Sequence, residues 1–270
     1  MSTTSEDPSP IQRICNLVPS RDTDRDWGFE HALAASAIEA PIPALPPSLD
    51  LRTGWWDIGN QENTGSCVGW ASTDGVARYH LVKAAKLPKD GRLSARFTWM
   101  ASKETDEFTK LPETFIEVAG TSLKAALDIL RKYGCVPESV LPLHIGSTMY
   151  AGDEKQFFAL ASNYRIASYY NLGKDLMAWR TWLAANGPIL TGLYVDETWS
   201  KAADTHGKLD TFKPSTAYGG HAICIVGYTT DNRFIVRNSW GTSWGDKGFA
   251  YASENYIAQA FYNEAYGITV

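Results

Sequence analysis

The sequence predicts an α+β protein of two unlike lobes, a helical one followed by a strand-rich one, with a cleft between them. Two observations carry this. Up to about residue 186 the patterns are mainly helical, with apolar stripes, N-cap residues and glycine stops. From Ile189 onward they become short apolar and β-branched runs separated by turn residues. Elements segregated in this way pack as separate layers, and ligands favour the crevice between such units. A third observation is size, since 270 residues of 44% hydrophobic content bury a full core without cross-links.

The chain opens with a polar, proline-containing tail over residues 1 to about 10, expected to be flexible. Trp27, Phe29, Leu33 and Ile38 then stand among many charges, as in an arm that packs on something larger. Pro41, Pro43, Pro46 and Pro47 impose an extended connection that no helix crosses. Residues 1–44 are therefore read as an N-terminal arm and 45–270 as the main body, divided into a helical lobe over about 60–165 and a β lobe over about 166–270. A helix is expected from Cys67 to about Lys86, where small residues allow close packing on both sides. Leu93 to Phe115 has no clear periodicity. Thr121 or Ser122 caps a stronger helix with Leu123, Ala126, Leu127 and Leu130 on one stripe and Gly134 beyond its end. Further helices are expected within 153–163 and 174–186, and strands at 189–195, 222–229, 233–237 and 248–251.

Charge and composition exclude several classes of function. A net charge of −5 argues against a nucleic-acid partner, and no apolar run approaches the roughly 18 residues of a membrane span. Cys15, Cys67, Cys135 and Cys224 are widely spaced, form no CxxC pair and read as reduced thiols. His31, His80, His144 and His206 are scattered without metal-ligand spacing, so no metal and no cofactor is expected. The acidic, polar N-terminus lacks the features of a Sec signal, which points to a cytoplasmic protein or one exported by another route.

Chemistry concentrates in three stretches. Cys67 stands at the expected start of a buried helix, where free N–H groups and the helix dipole favour a thiolate. Gln61, six residues upstream, supplies an amide for an oxyanion. His221 enters an apolar strand behind Gly219 and Gly220, which permit close approach of a ligand backbone. Asn238 ends a strand and can orient that histidine, with Trp240 and Trp244 shielding the bond from water. Nucleophile, base, orienting group and oxyanion donor together make a complete set for acyl transfer. Asp196, Glu197 and Trp199 follow the strand after Pro188, a position that either faces the cleft and influences side-chain preference or forms a loop exposed to solvent, the second being the preferred reading.

These stretches resemble the papain-like cysteine peptidases, in the family's order and over about residues 45 to 270. The resemblance implies a papain-like fold with a helical lobe and an antiparallel β-barrel-like lobe. It also implies a Cys67 thiolate paired with a His221 imidazolium across the cleft, held by Asn238 under Trp240. Gln61 and the Cys67 backbone N–H would form the oxyanion hole. Trp244 would close the leaving-group side, and Gly120 and Gly220 would lie along the substrate backbone. Thr64 and Val68 replace the family's half-cystine and tryptophan around the nucleophile, marking a disulfide-free, bacterial-type variant. The implied activity is endo- or exopeptidase hydrolysis of a peptide or protein substrate through a Cys67 thioester. Transpeptidase, amidase or deamidase chemistry at the same site and a silent binding module are the alternatives. The arm is expected either to cover the cleft as a pro-segment, making the chain a zymogen, or to pack on the body as a belt. Oligomeric state is not legible.

Overall fold

A computed structural model describes residues 13–38, 44–105, 120–144 and 152–270. The expected polar tail, Pro41 and Pro43, and the end of the stretch from Leu93 to Phe115 lie outside these residues. In chain order the elements are α1 (Phe29–Ala34), β1 (Leu49–Asp50), α2 (Cys67–Gly69), α3 (Arg78–Lys83), α4 (Ala95–Thr105), α5 (Leu123–Lys132) and α6 (Glu154–Ala161). There follow β2 (Ser168–Asn171), α7 (Leu176–Ala185), β3 (Ile189–Val195), α8 (Glu197–Ser200), β4 (Lys208–Leu209), β5 (Gly219–Tyr228), β6 (Arg233–Arg237), β7 (Phe249–Ser253), α9 (Glu254–Ala260) and β8 (Phe261–Thr269).

The helix beginning at Cys67 is continuous, α2 passing through a π-helical stretch, Trp70–Ala77, into α3. Such wide turns recur at functional sites. Ser122 caps α5 by accepting from the Ala125 N–H at 3.3 Å, and Gly134 follows the helix at φ 87°, where a side chain would be strained.

The strands form one sheet in the order β2-β8-β3-β5-β6-β7-β4, with β1 paired to β5. The pairs are antiparallel except β4 with β7. The path ends at β2 and β4, and no pairing among the described residues joins them, so the sheet is open where the resemblance implies a barrel-like one.

Alternation along β5 sorts its side chains to the two faces. Ala222, Cys224 and Val226 join the core formed with Val68, Leu81, Phe97, Leu127 and Leu130 of the helices before residue 165. Ile223 and Ile225 join the opposite core, with Trp179, Trp182, Trp199 and Tyr256. The Cys67 helix presses directly on β5, since a side chain at Gly75 would collide with the Cys224 sulfur. A buried ion network fastens the same contact: Asp74 accepts from Arg78 at 3.0 Å and from Arg237 of β6 at 2.7 Å.

Among the elements that depart from the sequence reading are α4 and β8. The stretch without clear periodicity contains α4, whose period is hidden because Arg96, Thr98, Ser102 and Lys103 are buried among its apolar residues. The Lys103 ammonium lies 3.8 Å over the Trp99 ring, a contact that lets a cation replace an apolar residue. β8 was not expected, because Asn263, Glu264 and Gly267 interrupt its apolar residues, yet it is an interior strand between β2 and β3.

Candidate active site

Cys67 occupies the first turn of its helix, after Ser66, so its own N–H belongs to the group that a helix leaves without an internal acceptor. The turn before it is held locally. Thr64 Oγ1 donates to the Gln61 carbonyl at 2.7 Å and shares a 2.6 Å hydrogen bond with Ser66 Oγ. The position of the family's half-cystine is thus filled by a hydrogen-bonded threonine.

Gln61 is buried and tied at both ends. Its N–H donates to the Ser239 carbonyl at 2.8 Å, and its side-chain oxygen accepts from Ser239 Oγ at 2.9 Å. One amide hydrogen goes to the Thr64 carbonyl at 3.0 Å and the other to the carbonyl of Ile14 at 3.3 Å. The amide therefore projects a fixed donor toward the cleft.

His221 lies two residues into β5, fully buried, and its Nε2 is 2.7 Å from Asn238 Oδ1. The same Oδ1 accepts the Ser239 N–H at 2.8 Å, which identifies that atom as oxygen and assigns the imidazole hydrogen to Nε2. His221 Nδ1 is left without a hydrogen-bond partner and so carries the basic lone pair. The next residue, Ala222, directs its backbone N–H at the Cys67 thiol. Helix and strand thus bring thiol and imidazole into one cleft.

The imidazole is enclosed by aromatics. Trp240 lies 4.8 Å from the His221 ring and Trp199 meets it edge-on at 5.6 Å. Trp244 stacks on Trp199 at 5.2 Å and donates to the Trp199 carbonyl at 2.8 Å. Trp199, for which the sequence favoured a solvent-exposed loop over a place facing the cleft, lies at the site. It is fully buried, and the segment expected as a solvated loop is α8, capped by a buried Asp196 that accepts from the Tyr256 hydroxyl at 2.8 Å. A tryptophan next to an N-cap signal, Asp196 before Glu197 and Thr198, was the available clue.

Arm residues 13–18 lie across this cleft. Arg13 donates to the Trp240 carbonyl at 3.2 Å and to the Glu62 carbonyl at 2.8 Å. Ile14 takes the Gln61 amide, and the Asn16 backbone N–H acts on the Cys67 thiol. The Leu17 N–H donates to the Gly220 carbonyl at 3.0 Å and the Val18 N–H to the Thr121 carbonyl at 3.1 Å. A side chain at Gly120 would collide with the Asn16 carbonyl, and one at Gly219 with that of Cys15. The structure therefore gathers Gln61, Cys67, His221, Asn238, Gly120, Gly220 and Trp240 around one segment of backbone, with Trp244 one layer behind.

The rest of the arm packs as a belt. Ala32 and Ile38 enter the second core, Asp26 pairs with Lys124 at 2.5 Å, and the Tyr266 hydroxyl donates to Asp26 at 2.8 Å. Cover and belt are consecutive parts of one segment.

Burial under the arm sets the charge state. It pushes the Cys67 thiol up to about 11, against backbone N–H groups that favour the thiolate. It holds the His221 imidazole down to about 4, with the Asn238 hydrogen bond opposing and the Arg13 charge adding to the effect. In the covered site burial thus favours the neutral thiol and the neutral imidazole over the ion pair the resemblance implies.

Among the described residues no group of three or more His, Cys, Asp or Glu is placed to hold a metal ion, and no helix is long and apolar enough to cross a membrane.

Comparison with known proteins places this geometry in context. Residues 45–267 match the family model described as papain family cysteine protease. The cathepsin B-like CP3 of Giardia intestinalis is 29% identical over 251 residues, covering 86% of this chain and 76% of that protein. Xylellain, a cysteine protease from Xylella fastidiosa, superposes with a TM-score of 0.77 at 21% identity over 99% of both chains. The digestive procathepsin L 3 of Tenebrio molitor superposes with a TM-score of 0.64 at 17% identity, over 86% of this chain and 72% of that one.

Proposed function

This chain belongs to the papain family of cysteine proteases, and from that membership we propose that it is an endopeptidase, held as a zymogen by its own arm, that acts through a Cys67 thioester. The observation that carries the reading is the pairing at His221: Nε2 is fixed on Asn238 while buried Nδ1 has no partner. That leaves one lone pair available to accept the Cys67 proton.

With the arm lifted, water reaches both groups, the proton passes from sulfur to His221 Nδ1, and the thiolate attacks the scissile carbonyl. The developing oxyanion takes the Gln61 amide and the Cys67 N–H, the donors that a helix start and a buried side chain hold in advance. His221 returns its proton to the leaving amine, and the C–N bond breaks to leave a thioester. A water then loses its proton to Nδ1 and attacks the thioester, releasing the acid and restoring the thiol. Asn238 keeps the tautomer fixed throughout, and Trp199 and Trp240 keep water from the Nε2 bond.

The path of the arm supports internal cleavage. Its backbone runs from Arg13, at Trp240, past Cys67 to Val18, at Thr121, so the cleft accommodates extended chain on both sides of the nucleophile. In the direction implied for a substrate, the acyl residues lie on the Gly120 side. The arm enters from the other end, so the Ile14 carbonyl that takes the Gln61 amide belongs to a chain of reversed polarity.

Peptides blocked at both ends by acetyl and amide groups test the reading. Cleavage at internal bonds by arm-released protein, lost by at least about 10⁴-fold in Cys67→Ser, is the expected result. Undiminished cleavage by Cys67→Ser overturns it.

A further inference from the structure

The arm carries one reactive side chain that this mechanism leaves unused, Cys15. It lies between Ile14, whose carbonyl takes the Gln61 amide, and Asn16, whose N–H acts on the Cys67 thiol. The Cys15 carbonyl abuts Gly219, and the Leu17 N–H donates to the Gly220 carbonyl at 3.0 Å beside His221, so residue 15 crosses the cleft that holds Cys67. A disulfide needs Cα atoms about 4.4 to 6.8 Å apart and facing Cβ atoms, a geometry reached by rotating the Cys15 side chain with a shift of the arm. The Cys15 thiol now meets the hydroxyl of Tyr218, a residue 58% exposed. Breaking that contact leaves the hydroxyl free to bond water.

The other two cysteines are not alternatives. Cys135 and Cys224 are buried, and their sulfurs point at the carbonyls of Ser94 at 3.4 Å and Ala71 at 3.0 Å. When residues 13–18 lift, Cys15 stays tethered. Ser20 Oγ accepts the Lys124 N–H at 3.1 Å, and Asp26 holds Lys124. So short a tether keeps the thiol at an effective concentration on the order of millimolar at the cleft.

We propose that Cys15 is a resolving cysteine for Cys67: peroxide oxidation of the uncovered nucleophile ends in a Cys15–Cys67 disulfide that fixes the arm across the cleft until a thiol reductant releases it. This rests on reading Cys67 as the nucleophile. The uncovered Cys67 thiolate attacks hydrogen peroxide and breaks the O–O bond, giving a sulfenic acid and a hydroxide that is protonated to water. The Cys15 thiol then loses its proton and attacks the sulfenic sulfur, and the S–O bond breaks to release a second water. Two thiols give up two electrons and two protons to one peroxide. In the covered form burial keeps both thiols protonated, Cys15 pushed up to about 12 and Cys67 to about 11, so oxidation proceeds from the open arm and traps the closed one. The device converts irreversible over-oxidation into a reversible closure.

The test uses the full chain and its Cys15→Ser and Cys15→Ala variants, treated with a small excess of hydrogen peroxide and blocked with iodoacetamide. Non-reducing peptide mass spectrometry and peptidase activity before and after dithiothreitol are the readouts. In the unmodified chain a Cys15–Cys67 linked peptide, about 2 Da below the sum of its parts, and recovery of most activity on reduction are expected. Both variants should instead accumulate sulfinic Cys67, about 32 Da heavier, and regain at least tenfold less activity. Oxidised Cys67 without the linked peptide, or equal recovery in the variants, overturns the proposal. The linked peptide is read by mass alone, so it stands or falls separately from the nucleophile assignment, which Cys67→Ser activity tests.

Discussion

The side-chain amide of Gln61 donates to the carbonyl oxygen of Ile14 at 3.3 Å, so an arm carbonyl sits where the mechanism needs the substrate's oxyanion. The same segment seats Leu17 against Gly192 and the Tyr262 ring, whose hydroxyl donates to the Leu17 carbonyl at 2.7 Å. Burying a leucine stabilises the covered state by about 1.5 to 3 kcal/mol, which sets the fraction of molecules that are open. Leu17→Asp in the full chain should therefore raise the initial peptidase rate by about 10- to 100-fold, measured before any trimming of the arm. An unchanged rate would mean that the arm does not limit access.

Gln61→Ala removes one of two oxyanion donors. On arm-released protein kcat should fall by about 10²- to 10³-fold with little change in KM. Gln61 also ties the turn to Ser239, so thermal unfolding is followed in parallel. A fall in KM-dependent binding with kcat preserved would assign the amide to ground-state contact.

Trp199 acts through His221. Its ring meets the imidazole edge-on at 5.6 Å and its Nε1 donates to the Tyr256 hydroxyl at 2.8 Å. Trp199→Ala should cost about 3 to 5 kcal/mol of stability and lower kcat. Trp199→Phe, which keeps a ring at that edge, should restore most of kcat. Equal kcat for the two variants at a temperature where both remain folded would reduce Trp199 to core packing.

The covered state should be most stable at intermediate pH. Burial holds His221 down to about 4, below its ordinary value near 6.5. Its contribution to closure is therefore complete above about 6.5 and lost as pH falls through about 4. Burial holds Cys67 up to about 11 from 9.0, so its contribution is present below about 9 and lost as pH rises through about 11. Hydrogen exchange at the Leu17 and Val18 amides, corrected for intrinsic rates, should quicken between about pH 6 and 4. In His221→Gln that acid acceleration should shrink. The same acceleration in both proteins would contradict the assignment to His221.

What the sequence made legible was the chemistry whose signals are local. Cysteine, glutamine, histidine and asparagine each stand in a short stretch with its own turn or strand signature, and the fold brings those stretches together. Strand β3 was readable from a short, mostly apolar run set off by Asn186, Gly187 and Pro188 before it, whereas β8 mixes Asn263 and Glu264 into its run, and the buried Thr191 hydroxyl of β3 donates to the Glu264 carbonyl at 2.8 Å. Helix α4 was hidden because long-range partners permit Arg96 and Lys103 inside. Trp199 was read as part of a surface loop because nothing next to it in the chain reveals His221, Trp240 and Trp244. The arm's path was not legible either, since its contacts run to Gln61, Thr121 and Gly220, far along the chain.

The most direct measurement is capture of the acyl-enzyme. Arm-released protein is mixed with a peptide ester, quenched in acid within the first turnovers, and mapped by mass spectrometry. The expected product carries the peptidyl group on Cys67 as a thioester, absent in Cys67→Ser and accumulating when His221 is replaced by alanine only if acylation still proceeds. A peptidyl group on any other residue, or full turnover with Cys67 never acylated, would contradict the assignment of Cys67 as the nucleophile.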